Sequence, residues 1–568
     1  MAKDSHASPQ DEVQPIERKP KLSRRTLLGT TAASPVLAAA LGGGTALTAG
    51  TANAEVLAPV KPHKRLKRAA KIRCEAAATN YFLAKPRPKQ QTNDDDLIYD
   101  DYRGSFTKTL PHNALGEVDP VAYEALRDAL SSGAPDDFDA IPLSVEADRR
   151  LANPQAALAY NLTGIDPHGT RMRPAPAFAS AEAAAEMAEV YWHALLRDVP
   201  FDDYGSHVLV GDALADLNAL SETVGPTVGG SVTASTLFRG PTPGDLQGPY
   251  VSQFLLRPIQ FGLASIEQRY AMPISVDFMT TVPDWLAVQR GAAPASGIAY
   301  DAQPRYIHNA RTLGEYVHVD ALFQAYLFAA SIALGFGPDA LAPTPYTGNP
   351  SQGGFTTLGG ADILDSVSHV GNLSLRAAWF QKWSVHRRLR PEAYTGRVHF
   401  TRTGDRDYGL PAEILDSAAV SLLESAQGTA LLPLAFPEGS PTHPSYPAGH
   451  ATIAGSCCTM IKAFFDESFV ILDPVVASSD GLSLIPYVGG DLTLGGEVNK
   501  LASNISLGRD LAGVHYRSDG IDGILVGEQV AEAYLADLTR GYNEDFGGFS
   551  FHRFDGTEVL IAGGHIYT

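Results

Sequence analysis

The chain has 568 residues, of which 44% are hydrophobic and 19% charged. That is enough apolar material for a large core, and it excludes a disordered chain. With 63 acidic against 44 basic residues the formal net charge is −19, which argues against general nucleic-acid binding.

The first 54 residues differ from the rest. The stretch SRRTLLG carries Arg24 and Arg25, a weakly apolar segment follows, and Ala52-Asn53-Ala54 gives a small-x-small site before Glu55. This resembles a bacterial twin-arginine export leader, so the mature chain is expected to be exported, periplasmic or secreted. The plain alternative is a basic tail. No other segment is apolar and long enough to span a bilayer. Residues 61–73, KPHKRLKRAAKIR, carry seven Lys or Arg. Residues 55–96 are therefore expected to form a basic, polar arm, either solvated or packed on another subunit.

From 97 to 568 the pattern is that of one helical domain. DPVAYEALRDALSSG starts with an Asp-Pro cap and stops at Gly133. ASAEAAAEMAEVYWHALLRDV has strong helix formers and apolar spacings of three and four. DALFQAYLFAASIALGFG is apolar nearly all round, as a buried helix is. DILDSVSHVGNLSLRAAWFQKWSVHRRLR and the run after His450 continue the helical period. Strand-like alternation is short, as in TEVLIAGG near the C-terminus. The fold class is all-α. Cys457 and Cys458 read as small core residues of a helix; pairing of one with Cys74 is the alternative.

Three segments carry the chemistry. In KWSVHRRLRPE, Lys382 and Arg390 are eight apart, so a continuous helix brings both to one side, with Arg390 near a helix end before Pro391. In PTHPSYPAGHAT, Pro447 sets a turn, Gly449 permits unusual φ and close approach, and a helix begins at about His450. The free N–H groups and positive end of that helix bind anions, and His450 stands beside the anion as an acid or base. In SLGRDLAGVHYRSDG, Arg509 precedes His515 by six, and Asp519 lies four beyond His515 on one helical face, placed to orient the imidazole. Guanidinium forks match tetrahedral oxyanions. The target is phosphate or something shaped like it.

Lys-x8-Pro with Arg390 before the proline, the PxGH turn, and Arg-x5-His-x3-Asp together resemble the vanadium-dependent haloperoxidase and type 2 acid phosphatase superfamily. KWSVHRRLRPE, PTHPSYPAGHAT and AGVHYRSDG are similar to the algal bromoperoxidase type and its bacterial relatives, and GSFTKTLPHNALGEVDP, GPYVSQFLLRPIQFG and EYVHVDALFQAY extend the likeness over roughly 97–520. The resemblance implies two packed four-helix bundles and a vanadate held by His515. Lys382, Arg390, Arg509 and the Gly449 N–H would take its oxygens, and His450 would relay protons to and from hydrogen peroxide. It further implies that Asp277 pairs with Arg509, and that His443 bears on halide use. Bromide or iodide is then expected before chloride. Hypohalous acid would halogenate a small organic acceptor, and the chain would be a homo-oligomer. Asp362 in GGFTTLGGADILD is a candidate ligand for a structural calcium, against a plain helix cap. One departure stands out: Ala448 occupies the place where the family usually has serine. Two other readings stay open, an exported acid phosphatase with His515 as nucleophile and a non-catalytic anion-binding protein.

Overall fold

Helices begin and end where short-range chemistry places them. Asp119 accepts a hydrogen bond from Val121 N–H (2.9 Å) to start the Pro120–Ser132 helix, and Gly133 ends it at φ 68°. Ser180 caps Ala181–Leu195 through Ala183 N–H (3.1 Å). In this computed structural model, residues 61–83 and 90–568 are described; the expected leader and its cleavage site lie outside them.

The body is all-α, with small sheets as trimmings. Two are two-stranded, and a three-stranded antiparallel sheet, Phe549–His552, Glu558–Ala562 and His565–Tyr567, contains the expected C-terminal strand. Three helices, Gly360–Trp379, Leu494–Leu511 and Arg517–Gly541, pack around the one that opens at PAGH, Gly449–Phe464. Two of these four approach very closely. A Cβ at Gly455 would stand 2.0 Å from Ile524 O, and one at Gly527 would stand 2.0 Å from Thr452 O, so only glycine fits either crossing. Around Ala181–Leu195 a second group gathers, with Val208–Leu217, Pro391–Thr403 and Ala418–Gln427. A separate small core, Tyr102, Phe106, Leu110, Leu126 and neighbours, closes over Trp383.

The 61–73 run, expected as a basic arm, is helical. Residues Pro62–Leu83 form one helix with only Asn80 buried, because Lys, Arg and Ala in KRLKRAAKIRCEAAA are strong helix formers. Asn80 Nδ2 donates to Asp537 (3.1 Å) and Arg540 donates to Thr79 Oγ1 (2.7 Å), tying it to the Arg517–Gly541 helix. The apolar run at 320–337 is helical only over Gln324–Gly335. Cys457 and Cys458 are buried in their helix, and all three cysteines are free thiols. Asp362 accepts from Leu358 N–H (2.8 Å) and Tyr542 O–H (2.7 Å), which is the cap reading of that residue. Among the described residues no single helix is long and apolar enough to cross a membrane.

Candidate active site

Lys382 and Arg390 do not share a helix. The Gly360–Trp379 helix widens into a π-helical turn, Phe380–His386, which stops at Arg387 with φ 43°. Arg387 donates to Asp96 (2.7 Å) and Trp383 O (2.9 Å), fixing the break. Arg390, extended at φ −89° and ψ 157°, then caps the Pro391–Thr403 helix, since Pro391 keeps the residue before it out of the helical region. The break, and not a helical period, brings the two cations together.

They converge on the 443–445 loop. Lys382 Nζ donates to Pro444 O and Ser445 O, both at 2.7 Å. Arg390 Nε donates to His443 O (3.0 Å) and Nη2 to His443 Nδ1 (3.0 Å). Its Nη1 donates to Val514 O (2.6 Å) and His515 Nε2 (2.9 Å). Arg509, in the last turn of Leu494–Leu511, donates to Val317 O (2.6 Å) and lies over the Phe436 ring. Its buried Nε has no hydrogen-bond partner among the described residues. Among the described residues, none of these three cations is in an ion pair with a carboxylate.

An arginine only donates, so Arg390 fixes His515 Nε2 as an acceptor and puts the ring proton on Nδ1. That proton goes to Asp519 Oδ2 at 2.7 Å. Asp519 does orient His515, but not along a helical face. His515 precedes the helix, Tyr516 is its N-cap, and Asp519 takes Tyr516 N–H (3.1 Å) in a capping turn. Ser445 Oγ also donates to Asp519 Oδ2.

The Gly449–Phe464 helix opens with Ala448 as N-cap and no side-chain cap. Its first N–H groups have no intrahelical acceptor. Gly449 has no positive φ, and a Cβ there would make ordinary contact with Leu375 (3.4 Å) and Trp379 (3.6 Å). The glycine is therefore not needed for backbone conformation, contrary to expectation. His450 Nε2 lies 3.0 Å from Asp320 Oδ1. The His443 ring sits 4.7 Å from that of Trp379.

Asp277 does not pair with Arg509. Phe278 pairs with Leu434 through backbone hydrogen bonds, and this holds Asp277 against Arg197 (2.5 Å) and Arg311 (3.1 Å). The carboxylate that acts most strongly on Arg509 is Asp320.

The electrostatics follow from burial that nearby carboxylates offset only in part. Burial lowers Arg390 to about 9, and Arg509 adds to the effect. Burial lowers Arg509 to about 10. Lys382 falls well below its usual value through burial and the two arginines. His515 and His443 are pushed well down by burial and the neighbouring cations. Burial also lowers His450, with Asp320 pulling the other way. Such a site gains free energy from an anion. Among the described residues no three His, Cys, Asp or Glu side chains converge on a metal ion. One imidazole lone pair, three cations, an orphan Arg509 Nε and a helix mouth instead suit a tetrahedral oxyanion bound through one histidine, so the residues present fit vanadate.

A family model described as the VCPO second helical-bundle domain matches residues 375–544. A vanadium-dependent bromoperoxidase of Ascophyllum nodosum is 36% identical over 485 residues, covering 81% of this chain and 87% of that one. The chain belongs to the vanadium-dependent haloperoxidases. Another member, the vanadium-dependent bromoperoxidase of Corallina pilulifera, is 34% identical over 553 residues, covering 82% of this chain and 92% of its own. The homohexameric structure of the second vanadate-dependent bromoperoxidase of A. nodosum superposes with a TM-score of 0.83 at 30% identity, over 95% of this chain and 96% of that one. This haloperoxidase is thus an oxidoreductase that uses peroxide, on the family's helical fold.

Sequence reasoning places Lys382, Arg390, His443, Gly449, His450, Arg509, His515 and Asp519 in one site, and the structure brings them together. It misses three residues. Asp320 lies 130 positions from His450, and no spacing signals that contact. Ser445 sits inside the quoted PSYPAGH but carries no motif weight. Arg388, next to Leu389 and Arg390 in HRRLRP, reads from sequence as one more surface cation and is 2% exposed.

Proposed function

We propose that this haloperoxidase holds vanadate at His515 Nε2 and uses hydrogen peroxide to oxidise bromide to hypobromous acid, which halogenates a small organic acceptor. The observation that carries the reading is His515 Nε2, kept unprotonated by Asp519 and set among three buried cations that have no carboxylate partner among the described residues. When bound, vanadate supplies a Lewis acid for peroxide that does not change oxidation state. Lys382, Arg390 and Arg509 would hold its charge, with the Gly449 N–H as a further donor. Asp320 takes the His450 Nε2 proton and leaves Nδ1 free to accept the proton of peroxide. Burial keeps that imidazole neutral and ready to do so.

Bromide is named because the relatives are bromoperoxidases; iodide, the easier halide to oxidise, is expected alongside it, with His443 bearing on the choice. A homo-oligomer is supported by the homohexameric relative, and export by Arg24-Arg25 and the small-x-small site before Glu55. A structural calcium at Asp362 rests on the loop sequence alone. The phosphatase alternative, with His515 as nucleophile, is not favoured by relatives that are haloperoxidases over most of their length. The test is halogenation of a diketone dye with bromide and peroxide. The mature chain would be stripped of phosphate, and assayed with and without orthovanadate. Vanadate-dependent halogenation supports the reading; phosphate-ester hydrolysis without halogenation refutes it.

A further inference from the structure

Behind His515 lies a second layer of buried charge that the chemistry above does not use. Arg388 Nη1 donates to Asp519 Oδ1 at 2.8 Å and to Ser518 Oγ at 2.9 Å, and its Nη2 donates to Glu186 Oε2 at 2.8 Å. Glu186 in turn accepts from Ser518 N–H at 2.6 Å. The guanidinium lies 3.9 Å over the Tyr516 ring, so its plane is held as well as its charge. The backbone is also engaged, because Ser445 N–H donates to Arg388 O at 3.0 Å. Ser445 is the residue whose carbonyl receives Lys382 and whose hydroxyl reaches Asp519.

The two oxygens of Asp519 are used unequally. His515 Nδ1, Tyr516 N–H and Ser445 Oγ all meet Oδ2, whereas Oδ1 receives Arg388. Without Arg388 a buried carboxylate oxygen loses its charged donor in a dry site, and the carboxylate is held through Oδ2 alone. The acceptor of the His515 Nδ1–H is then less firmly placed, and with it the tautomer that keeps Nε2 unprotonated.

We propose that Arg388 is a positioning residue for vanadate: by holding Asp519, and through its backbone Ser445, it fixes the ring and tautomer of His515. The inference rests on the vanadate-binding reading above. Its effect is on affinity for the anion and not on turnover once the anion is in place.

The test measures vanadate Kd by titration calorimetry on phosphate-free protein, with bromide-dependent kcat at saturating vanadate beside it. Arg388→Gln is expected to raise Kd by about 10- to 100-fold, the range for groups behind a metal-ligating histidine, while kcat stays within about threefold. Arg388→Lys, which keeps the charge but not the fork, is expected to fall between the two. Arg397→Gln serves as control: that arginine is buried and donates to Leu115 O and Gly116 O, sharing no partner with Asp519. It should lose stability and keep its Kd. A folded Arg388→Gln that binds vanadate within twofold of the unaltered chain overturns the inference. If that variant does not fold, Arg388→Lys decides, since an unchanged Kd there overturns it equally. Failure of the unaltered chain to bind vanadate overturns the proposed function and this inference together, which separates the two failures.

Discussion

Ala448→Ser places a hydroxyl at the mouth of the helix proposed to face the anion. Ala448 has φ −66° and ψ 126°, the extended geometry of an N-cap, and it offers no side-chain acceptor. Elsewhere in this chain the same position is filled by Ser180, bonded to Ala183 N–H at 3.1 Å, and by Thr493, bonded to Gly496 N–H at 3.2 Å. A serine at 448 should accept likewise from Ala451 N–H, stabilising the fold by about 1 kcal/mol. Its proton remains free for an oxygen of the bound anion. One such bond is worth about 1 kcal/mol net, or roughly a fivefold lower vanadate Kd. Urea unfolding of the vanadate-free chain measures the first term and vanadate titration the second. An unchanged urea midpoint together with an unchanged Kd would refute the idea that the hydroxyl is the missing donor. A midpoint that rises while Kd stays fixed would show that the hydroxyl caps the helix but does not reach the anion.

His515→Ala should abolish vanadate-dependent halogenation while leaving the circular dichroism spectrum intact, because Asp519 keeps Arg388 as partner; titration calorimetry should show vanadate binding lost. His450→Ala should cut kcat by about 10²- to 10⁴-fold, the usual worth of a positioned acid or base, with a smaller effect on vanadate Kd. Asp320→Asn should lower kcat less, by leaving the His450 Nε2 proton with a weaker acceptor; stopped-flow bromination separates the two variants. His193 is buried beside Phe238, and burial lowers it to about 4. The unfolded chain takes up that proton below about 6.5 and the folded chain only below about 4. Its contribution is therefore complete above about pH 6.5 and is lost as pH falls towards 4, by about 1.4 kcal/mol per pH unit. His193→Phe should remove that slope from urea unfolding free energies measured between pH 7 and pH 4; an unaltered slope would place the titration elsewhere.

The site was legible because its chemistry is local. His450 at a helix start and Arg390 before a proline are set by neighbours in the chain, and the cap at Asp119 and stop at Gly133 follow the same logic. What escaped was long-range or irregular. Lys382 reaches Arg390 through a π-turn and a left-handed Arg387, which helical spacing cannot foresee. The pairing of Asp277 with Arg509 that the resemblance implies fails because its actual partners, Arg197 and Arg311, come from segments distant in the sequence, which no spacing connects. The charge of residues 61–73 draws attention to an arm, while the same Lys and Arg, with Ala, are the helix formers that make Pro62–Leu83 one helix.

The clamp on the 443–445 loop has a consequence for selectivity. Two of the three Lys382 Nζ protons are already committed to carbonyls, and Arg390 is held by four acceptors before any anion arrives. Little side-chain freedom is left to lose on binding, and little is left for adapting to a guest of another shape. Arsenate and molybdate, tetrahedral like phosphate and vanadate, should therefore compete for the same seat. A planar ion of lower charge, such as nitrate, should find no set of donors to meet it, however abundant it is.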